Sequence, residues 1–476
     1  MSIFKGYDIR GVYGETLNEK IAVGIGKAFA TLLLKKKLPN RKLFIGRDNR
    51  RSSPGLRNAI ANPLHFAGFD IVDLGVASTP LVQYAISREK CAGAVIVTAS
   101  HNPAQYNGFK LYLKNLPLMG ADMHGMERIF KSGKFLSTGK QGHELSRPIE
   151  GEYIGDVLGR VRLYRKMRVV IDSGNGTCGA VARELLTRMG CSVISLFEDM
   201  ESAFLNHIAD PHDPKNLKWL SEEVVRQRAD LGIAFDGDGD RAGFVDNAGK
   251  PIREDDVAIL FLRHELEKAG RDGGKKGSIG KKVKLPKSSR SIVYDLRLSR
   301  AVPEEVKKLR GKPIMSKAGR IAIRENLIAQ KALFGGEVSG HYFFADHFGF
   351  DDGIYAGAKM CEIVSGLGMR LSDAVKSISH YPATPEIRLH CDNEKKFKLV
   401  ENVKKILRKK YGSKILTIDG VYLNLEDAWG LLRVSNTEPA ITLRFEGKTK
   451  KDFKDVYGIF GKLLKGEGIK LPILPT

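Results

Sequence analysis

The sequence predicts an α/β protein with largely parallel sheets, divided over three or four domains. Short apolar strands are followed repeatedly by loops rich in Gly, Asp, Ser and Asn, and then by stretches of helical periodicity. The length, 476 residues, exceeds what one core serves at about 100 to 200 residues per domain.

The elements follow in order. Ile21, Ile25, Phe29 and Leu33 recur every four residues and mark one face of a helix leading to the strand Leu43-Phe44-Ile45. Ala94-Val95-Ile96-Val97 reads as a buried strand ending at Thr98-Ala99-Ser100-His101-Asn102-Pro103, where proline forces the chain out of regular structure. A second unit begins near Glu152, with strand Val169-Val170-Ile171 and a helix from about Ala180. It continues to Leu231-Gly232-Ile233-Ala234-Phe235, a loop of alternating Asp and Gly, and a hairpin turning at Asn247-Ala248-Gly249. A third unit from about Lys250 holds a basic Gly/Lys insert (273–287), the strand Ile292-Val293-Tyr294 and the loop 336–341. Past 382–385 the pattern changes to alternating strands, such as 441–445, and a final amphipathic helix.

Composition narrows the function classes. The formal charge of +23 favours anionic partners, and much of it lies in surface-like runs such as Lys35, Lys36, Lys37 and the 273–287 insert. No zinc finger, RNP signature or basic strip interleaved with aromatics accompanies it, which argues against a nucleic-acid reader. The five cysteines are scattered and odd in number, without a CxxC pair, so neither a disulfide framework nor a thiolate zinc site is expected. No apolar run reaches the roughly 18 to 20 residues of a membrane span, and MSIFKGYDIRG lacks the apolar core of a signal peptide, so a cytoplasmic protein is expected.

The most specific local signal is Asp236-Gly237-Asp238-Gly239-Asp240-Arg241. Glycine lets such a loop curl while three carboxylates converge on one hard cation. An EF-hand requires Gly at the sixth position and Glu at the twelfth, whereas Arg241 and Asn247 stand there. A small divalent ion with vacant positions for phosphate, most naturally Mg2+, fits better. Ser100 follows a buried strand beside His101, without the Gly-x-Ser-x-Gly elbow of a serine hydrolase. Its hydroxyl is either a turn former or a carrier of phosphate beside a cation. The segment Gly174-Asn175-Gly176-Thr177-Cys178-Gly179, with Glu198 about 20 residues on, matches the dinucleotide fingerprint and suggests an NAD-dependent oxidoreductase as a different class.

Taken together, the segments resemble the α-D-phosphohexomutase family. TASHNPAQYNGFK (98–110), DGDGDR (236–241), GEVSGH (336–341) and RVSNTEP (433–439) occur in that family's order, with YDIRG (7–11) and GRDNRRSSP (46–54) ahead of them. FGFDDGIY (348–355) and WGLLRVSNTEPAITLRFEG (429–447) are most similar to the bifunctional phosphomannomutase/phosphoglucomutase branch. The resemblance implies four domains around a central cleft: 1–151, 152–250 and 251–378 as α/β domains with mixed sheets, and 379–476 as a smaller α+β domain. It implies Ser100 as phosphoserine, Asp236, Asp238 and Asp240 as Mg2+ ligands together with the phosphate, and Arg10, His101, Lys110 and Arg241 around the phosphoserine, with Lys110 as acid/base. Glu337, Ser339 and His341 would meet the sugar with Tyr7, Arg297 and Arg320, and Arg433, Ser435, Asn436, Thr437 and Arg444 would bind the phosphate that is not transferred. Against this background the glycines of 174–179 read as a tight turn for strand–helix packing.

The implied reaction interconverts hexose 1-phosphate and hexose 6-phosphate through hexose 1,6-bisphosphate, on mannose or glucose, with phosphoglucosamine mutase as the alternative and a monomer or dimer as the assembly. Two positions depart from the family pattern. Arg320 stands where Lys-x-Gly-His places histidine, and Arg297 where lysine is usual. Arginine keeps the charge but does not exchange a proton near neutral pH.

Overall fold

The computed structural model describes residues 3–272, 290–435 and 439–472; the basic insert 273–287 lies outside them. The first helix, Glu19–Lys35, begins where Asn18 accepts the Ile21 N–H at 3.0 Å. It carries Glu19 in its first turn and Lys35 in its last, complementing its dipole. Of the apolar face read from the sequence, Ile25, Phe29 and Leu33 are buried and Ile21 is half-buried. They pack against the sheet, which is how a helix of this length is stabilised.

Four sheets are present among the described residues. The seven-stranded first sheet runs Ile9–Val12, Tyr106–Leu113, Gly93–Val97, Lys42–Arg47, Asp70–Val76 and Glu144–Ser146, with Leu116–Pro117 paired off Tyr106–Leu113. Its inner strands are parallel, and Tyr106–Leu113 returns antiparallel to Gly93–Val97, so that Lys110 lies opposite Ile96. The second sheet runs Pro251–Ile252, Ala242–Asp246, Leu231–Phe235, Arg168–Asp172, Ser192–Leu196. The third runs Lys312–Ser316, Ser291–Asp295, Phe334–Gly336, Tyr342–Phe344. The fourth, antiparallel throughout, runs Ile387–His390, Ala440–Gly447, Ala428–Val434, Val421–Asn424, Ile415–Leu416. The sheets are thus mixed. Helix Glu150–Leu158 straddles the 151/152 division, and the second sheet continues two residues past 250, because the hairpin at Asn247 returns its strand.

The cores explain how these units hold together. One apolar cluster runs from Phe44 and Ile96 of the first sheet through Ile171 and Ile233 of the second to Phe334 of the third and Tyr355 of the helix Gly353–Gly366. The fourth sheet has its own core around Val403, Phe445 and Phe460; among the described residues its apolar contact with the third unit is a small patch of Leu296, Tyr422, Trp429 and Leu431, joined by polar pairs such as Arg297–Glu386 and Arg444–Asp255. At about 25 cal/mol per Å2 of buried apolar surface, the first three units are welded and the fourth is lightly attached. No helix among the described residues is long and apolar enough to cross a membrane.

Candidate active site

The loop after Gly93–Val97 carries Ser100 in a left-handed backbone conformation, φ 53°. A non-glycine residue persists there only where its surroundings fix it. Thr98 Oγ1 accepts the Ser100 N–H at 2.8 Å. Arg50, 1 % exposed, donates to the carbonyls of Ser100 (2.8 Å), Asn102 (2.6 Å), Pro103 (2.7 Å) and Tyr106 (3.1 Å), with Asp48 as its counter-ion. Sequence reasoning gave Arg50 no role, although it lies within GRDNRRSSP. The Ser100 hydroxyl donates to Asp236 Oδ2 at 2.8 Å and lies 3.2 Å from His101 Nδ1, which Arg241 also contacts. Arg10 stands to one side, bonded to Asn102 and Asp8.

Opposite the serine, the loop after Leu231–Phe235 turns Asp236, Asp238 and Asp240 inward, each at most 1 % exposed, with ligand oxygens within 4.8 Å of one another. Glycine is required at 237, since a Cβ there would stand 2.7 Å from the Ser100 carbonyl oxygen. Lys110 Nζ meets Asp238 at 2.5 Å and Asp240 at 2.6 Å, and Thr79 bonds the Asp238 side chain at 2.5 Å. Asp238 Oδ1 nevertheless accepts no hydrogen bond, and Asp240 Oδ1 faces only His341 Nε2, at 3.4 Å. Buried carboxylate oxygens without donors are costly unless a cation meets them, so this donor set fits a small hard ion. Burial and the charges of Asp240 and Asp238 push the Asp236 carboxyl well up. Burial alone would raise Asp240 too, but Lys110, His341 and Arg320 hold it well below the usual range. Burial, with Arg10 nearby, lowers the Arg241 guanidinium to about 10.

The third wall is the loop after Phe334–Gly336. His341 lies 3.2 Å from Glu337, 2.9 Å from Ser339 Oγ and 3.4 Å from Asp240. Burial opposes charging of this imidazole, yet Asp240 and Glu337 raise it to about 9, while the Glu337 carboxyl, despite its own burial, is drawn down to about 2 by His341 and Arg297. Arg320 lies over the Tyr7 ring at 5.4 Å and pairs with Asp351 at 3.1 Å and Asp240 at 3.4 Å. Asp351 and Thr79 also escaped sequence reasoning; each is a common residue whose partner is distant in the chain.

The fourth wall is less converged. Arg433 is paired with Asp419 at 2.9 Å, Lys396 donates to the Ser435 carbonyl at 2.8 Å, and Arg444 holds Asp255 at 2.9 Å. Asn436 and Thr437 lie outside the described residues. A cleft of about 890 Å3 separates this wall from the others, lined by His101, Arg241, Arg297, Ser339, Glu386 and Arg444 among others.

The glycine loop 174–179 is closed against the acidic loop. Thr177 donates to the Gly237 carbonyl through its N–H at 3.1 Å and its hydroxyl at 3.2 Å, and a Cβ on Gly176 would stand 2.7 Å from the same oxygen. Glu198, the ribose ligand of the dinucleotide reading, is paired with Arg183 at 2.8 Å. This loop therefore packs rather than cradles.

Comparison with known proteins agrees with this geometry. Models of phosphoglucomutase/phosphomannomutase alpha/beta/alpha domains I, II and III match residues 1–137, 152–249 and 254–381, and the C-terminal domain model matches 386–457. A phosphomannomutase/phosphoglucomutase of Pseudomonas syringae pv. tomato is 35% identical over 98% of this chain and 95% of its own. The chain belongs to the phosphoglucomutase/phosphomannomutase family. A phosphoglucomutase of Neisseria meningitidis is 34% identical over 97% of this chain and 96% of its own. The crystal structure of a family protein from Burkholderia thailandensis, 32% identical, superposes with a TM-score of 0.88 and covers 99% of both chains. Family membership brings the four-domain α/β architecture with it, and the sheets described above are its four units.

Proposed function

We propose that this family member interconverts hexose 1-phosphate and hexose 6-phosphate, using Ser100 as the phosphoryl carrier and hexose 1,6-bisphosphate as intermediate and activator. The observation that carries this reading is the Ser100 hydroxyl, 2.8 Å from Asp236 at the mouth of three buried carboxylates. The names of the relatives from Pseudomonas and Neisseria support the same reaction.

Asp236, Asp238 and Asp240 would hold one Mg2+ with the serine phosphate, and this ion would supply charge neutralisation for the transferring group. The chain's own residues do the rest. The left-handed backbone of Ser100 and the Arg50 bonds fix the carrier oxygen, so that transfer is largely a matter of positioning. Lys110, held charged by Asp238 and Asp240 against the cost of burial, places a cation beside the reacting oxygens, joined by Arg241, Arg10 and the adjacent His101. Glu337 and Ser339 accept and donate to sugar hydroxyls, and protonated His341 orients both; Tyr7 and Arg320 close that face. Arg433, Ser435, Asn436, Thr437 and Arg444 clamp the other phosphate, a task suited to fork-shaped donors. The sugar must turn end over end between half-reactions, which the lightly attached fourth unit would permit.

The units divide near 151, 250 and 378. A loop gripping hydroxyls common to glucose and mannose would accept both sugars, and the substrate partner is a phosphorylated hexose. Five unpaired thiols are consistent with the reducing cytoplasm. Incubation with hexose 1,6-bisphosphate carrying labelled phosphate tests the carrier: peptide mapping should find the label on Ser100. An unlabelled Ser100 in the presence of Mg2+ would refute it. Comparing turnover of glucose, mannose and glucosamine 1-phosphates decides the sugar, and activity on the amino sugar alone would overturn dual use.

A further inference from the structure

Arg297 stands where three segments meet. It lies two residues past the strand Ser291–Asp295, and its side chain is only 11% exposed. Each guanidinium nitrogen is committed to a carboxylate. Nε lies 3.0 Å and Nη2 2.5 Å from Asp295 Oδ2; Nη2 also reaches Glu337 at 3.1 Å, and Nη1 reaches Glu386 at 3.2 Å. The three acids have different attachments. Asp295, fully buried, is part of the rigid third sheet; Glu337 belongs to the loop that faces the sugar; Glu386 immediately precedes Ile387–His390, the edge strand of the fourth sheet.

A polar chain therefore leaves the lightly attached unit and enters the reaction centre: Glu386 to Arg297 at 3.2 Å, Arg297 to Glu337 at 3.1 Å, Glu337 to His341 at 3.2 Å, and His341 to Asp240 at 3.4 Å. A planar fork sets its carboxylates in fixed coplanar directions, whereas an ammonium is a single point charge on a flexible stem that does not fix the angle at which each acid meets it. With its nitrogens taken, Arg297 has little left to offer a sugar hydroxyl directly.

We propose that Arg297 is a positioning residue that couples docking of the fourth unit to the sugar loop. When Glu386 is seated, the guanidinium is pinned from two sides and fixes the angle at which Glu337 meets the sugar. When the fourth unit withdraws, that restraint is lost and Glu337 loosens. This inference rests on the mutase reading above.

The test uses the full chain. Steady-state turnover of glucose 1-phosphate, with hexose 1,6-bisphosphate and Mg2+, is measured for wild type, Arg297→Lys, Glu386→Gln and the double variant. Arg297→Lys should raise KM about tenfold while changing kcat less than about threefold. Glu386→Gln should raise KM about threefold, and the double variant should be no worse than Arg297→Lys alone, because the two act as one unit. A double variant whose loss equals the product of the single losses overturns the coupling. Hydrogen exchange gives an independent reading without substrate or any change at Arg297: Glu386→Gln should speed exchange of amides 336–341. Unchanged exchange there overturns the proposal even if Arg297→Lys does not fold. If wild type turns over no sugar phosphate, the mutase reading fails, and the exchange experiment still decides the coupling.

Discussion

Lys110 stands 2.5 Å from Asp238, so the ammonium and any divalent ion held by these acids would draw on the same carboxylate charge. Replacing Lys110 with Met should therefore have opposite effects on two quantities. Turnover should fall by about a hundredfold or more, as when a fixed charge is lost from a transfer site, while Mg2+ binds more tightly. Titration calorimetry with Mg2+ alone checks the second half; weaker binding by the variant would rule out competition.

Ser100→Ala removes the proposed carrier but leaves the proposed sugar and phosphate walls intact. Activity should drop at least about a thousandfold, with sugar phosphate affinity within about threefold of wild type. Equilibrium binding of glucose 1-phosphate and a turnover assay settle both numbers. Appreciable turnover by the variant would mean that another side chain accepts phosphate.

Arg320 is charged at every accessible pH, because Asp351 and Asp240 outweigh the penalty of its burial. Arg320→His should make activity depend on pH. The histidine is cationic at low pH and neutral at high pH, and Asp351 and Asp240 would hold it charged beyond its ordinary range, so kcat/KM should approach wild type at pH 6 to 7 and fall about tenfold only as pH rises toward 10, while the wild-type profile stays flatter. Parallel pH profiles would show that the charge at 320 is dispensable.

His207 lies 3.1 Å from Asp172, beneath the glycine loop that braces the acidic loop. Burial would lower its pKa, but the bond to Asp172 raises it above the ordinary 6.5. The pair's contribution to stability is thus fully present below about pH 6.5 and is lost as pH rises through the folded-state value. His207→Gln should melt about 2 to 4 °C below wild type at pH 6, and the gap should narrow by pH 9. A gap that widens with pH would contradict the assignment.

What was legible in the sequence was local. Strand endings at Val97 and Phe235, the hairpin at Asn247 and the Asp-Gly alternation each state their geometry within a few residues, and the structure reproduces them. Arg50 was illegible in role because its four carbonyl partners lie some fifty residues away, and backbone acceptors leave no mark on sequence. The Thr79 bond spans 159 residues, and Asp351 is defined by Arg320, His341 and Gln83, which fold onto it from elsewhere in the chain. The fingerprint at 174–179 misleads for the complementary reason. Glycines that allow close approach to a pyrophosphate equally allow close approach to another peptide, and only the distance to Gly237 distinguishes the two.

The apolar mass running unbroken through the first three units makes them a bench vice's fixed jaw, with the carrier serine and its acids set in the casting. The remaining unit shares only a small apolar patch with that casting among the described residues. On the proposed reading a substrate would be let go, spun and gripped again while serine and acids keep their setting, and the sugar loop alone, through Arg297 and Glu386, would feel the jaw open.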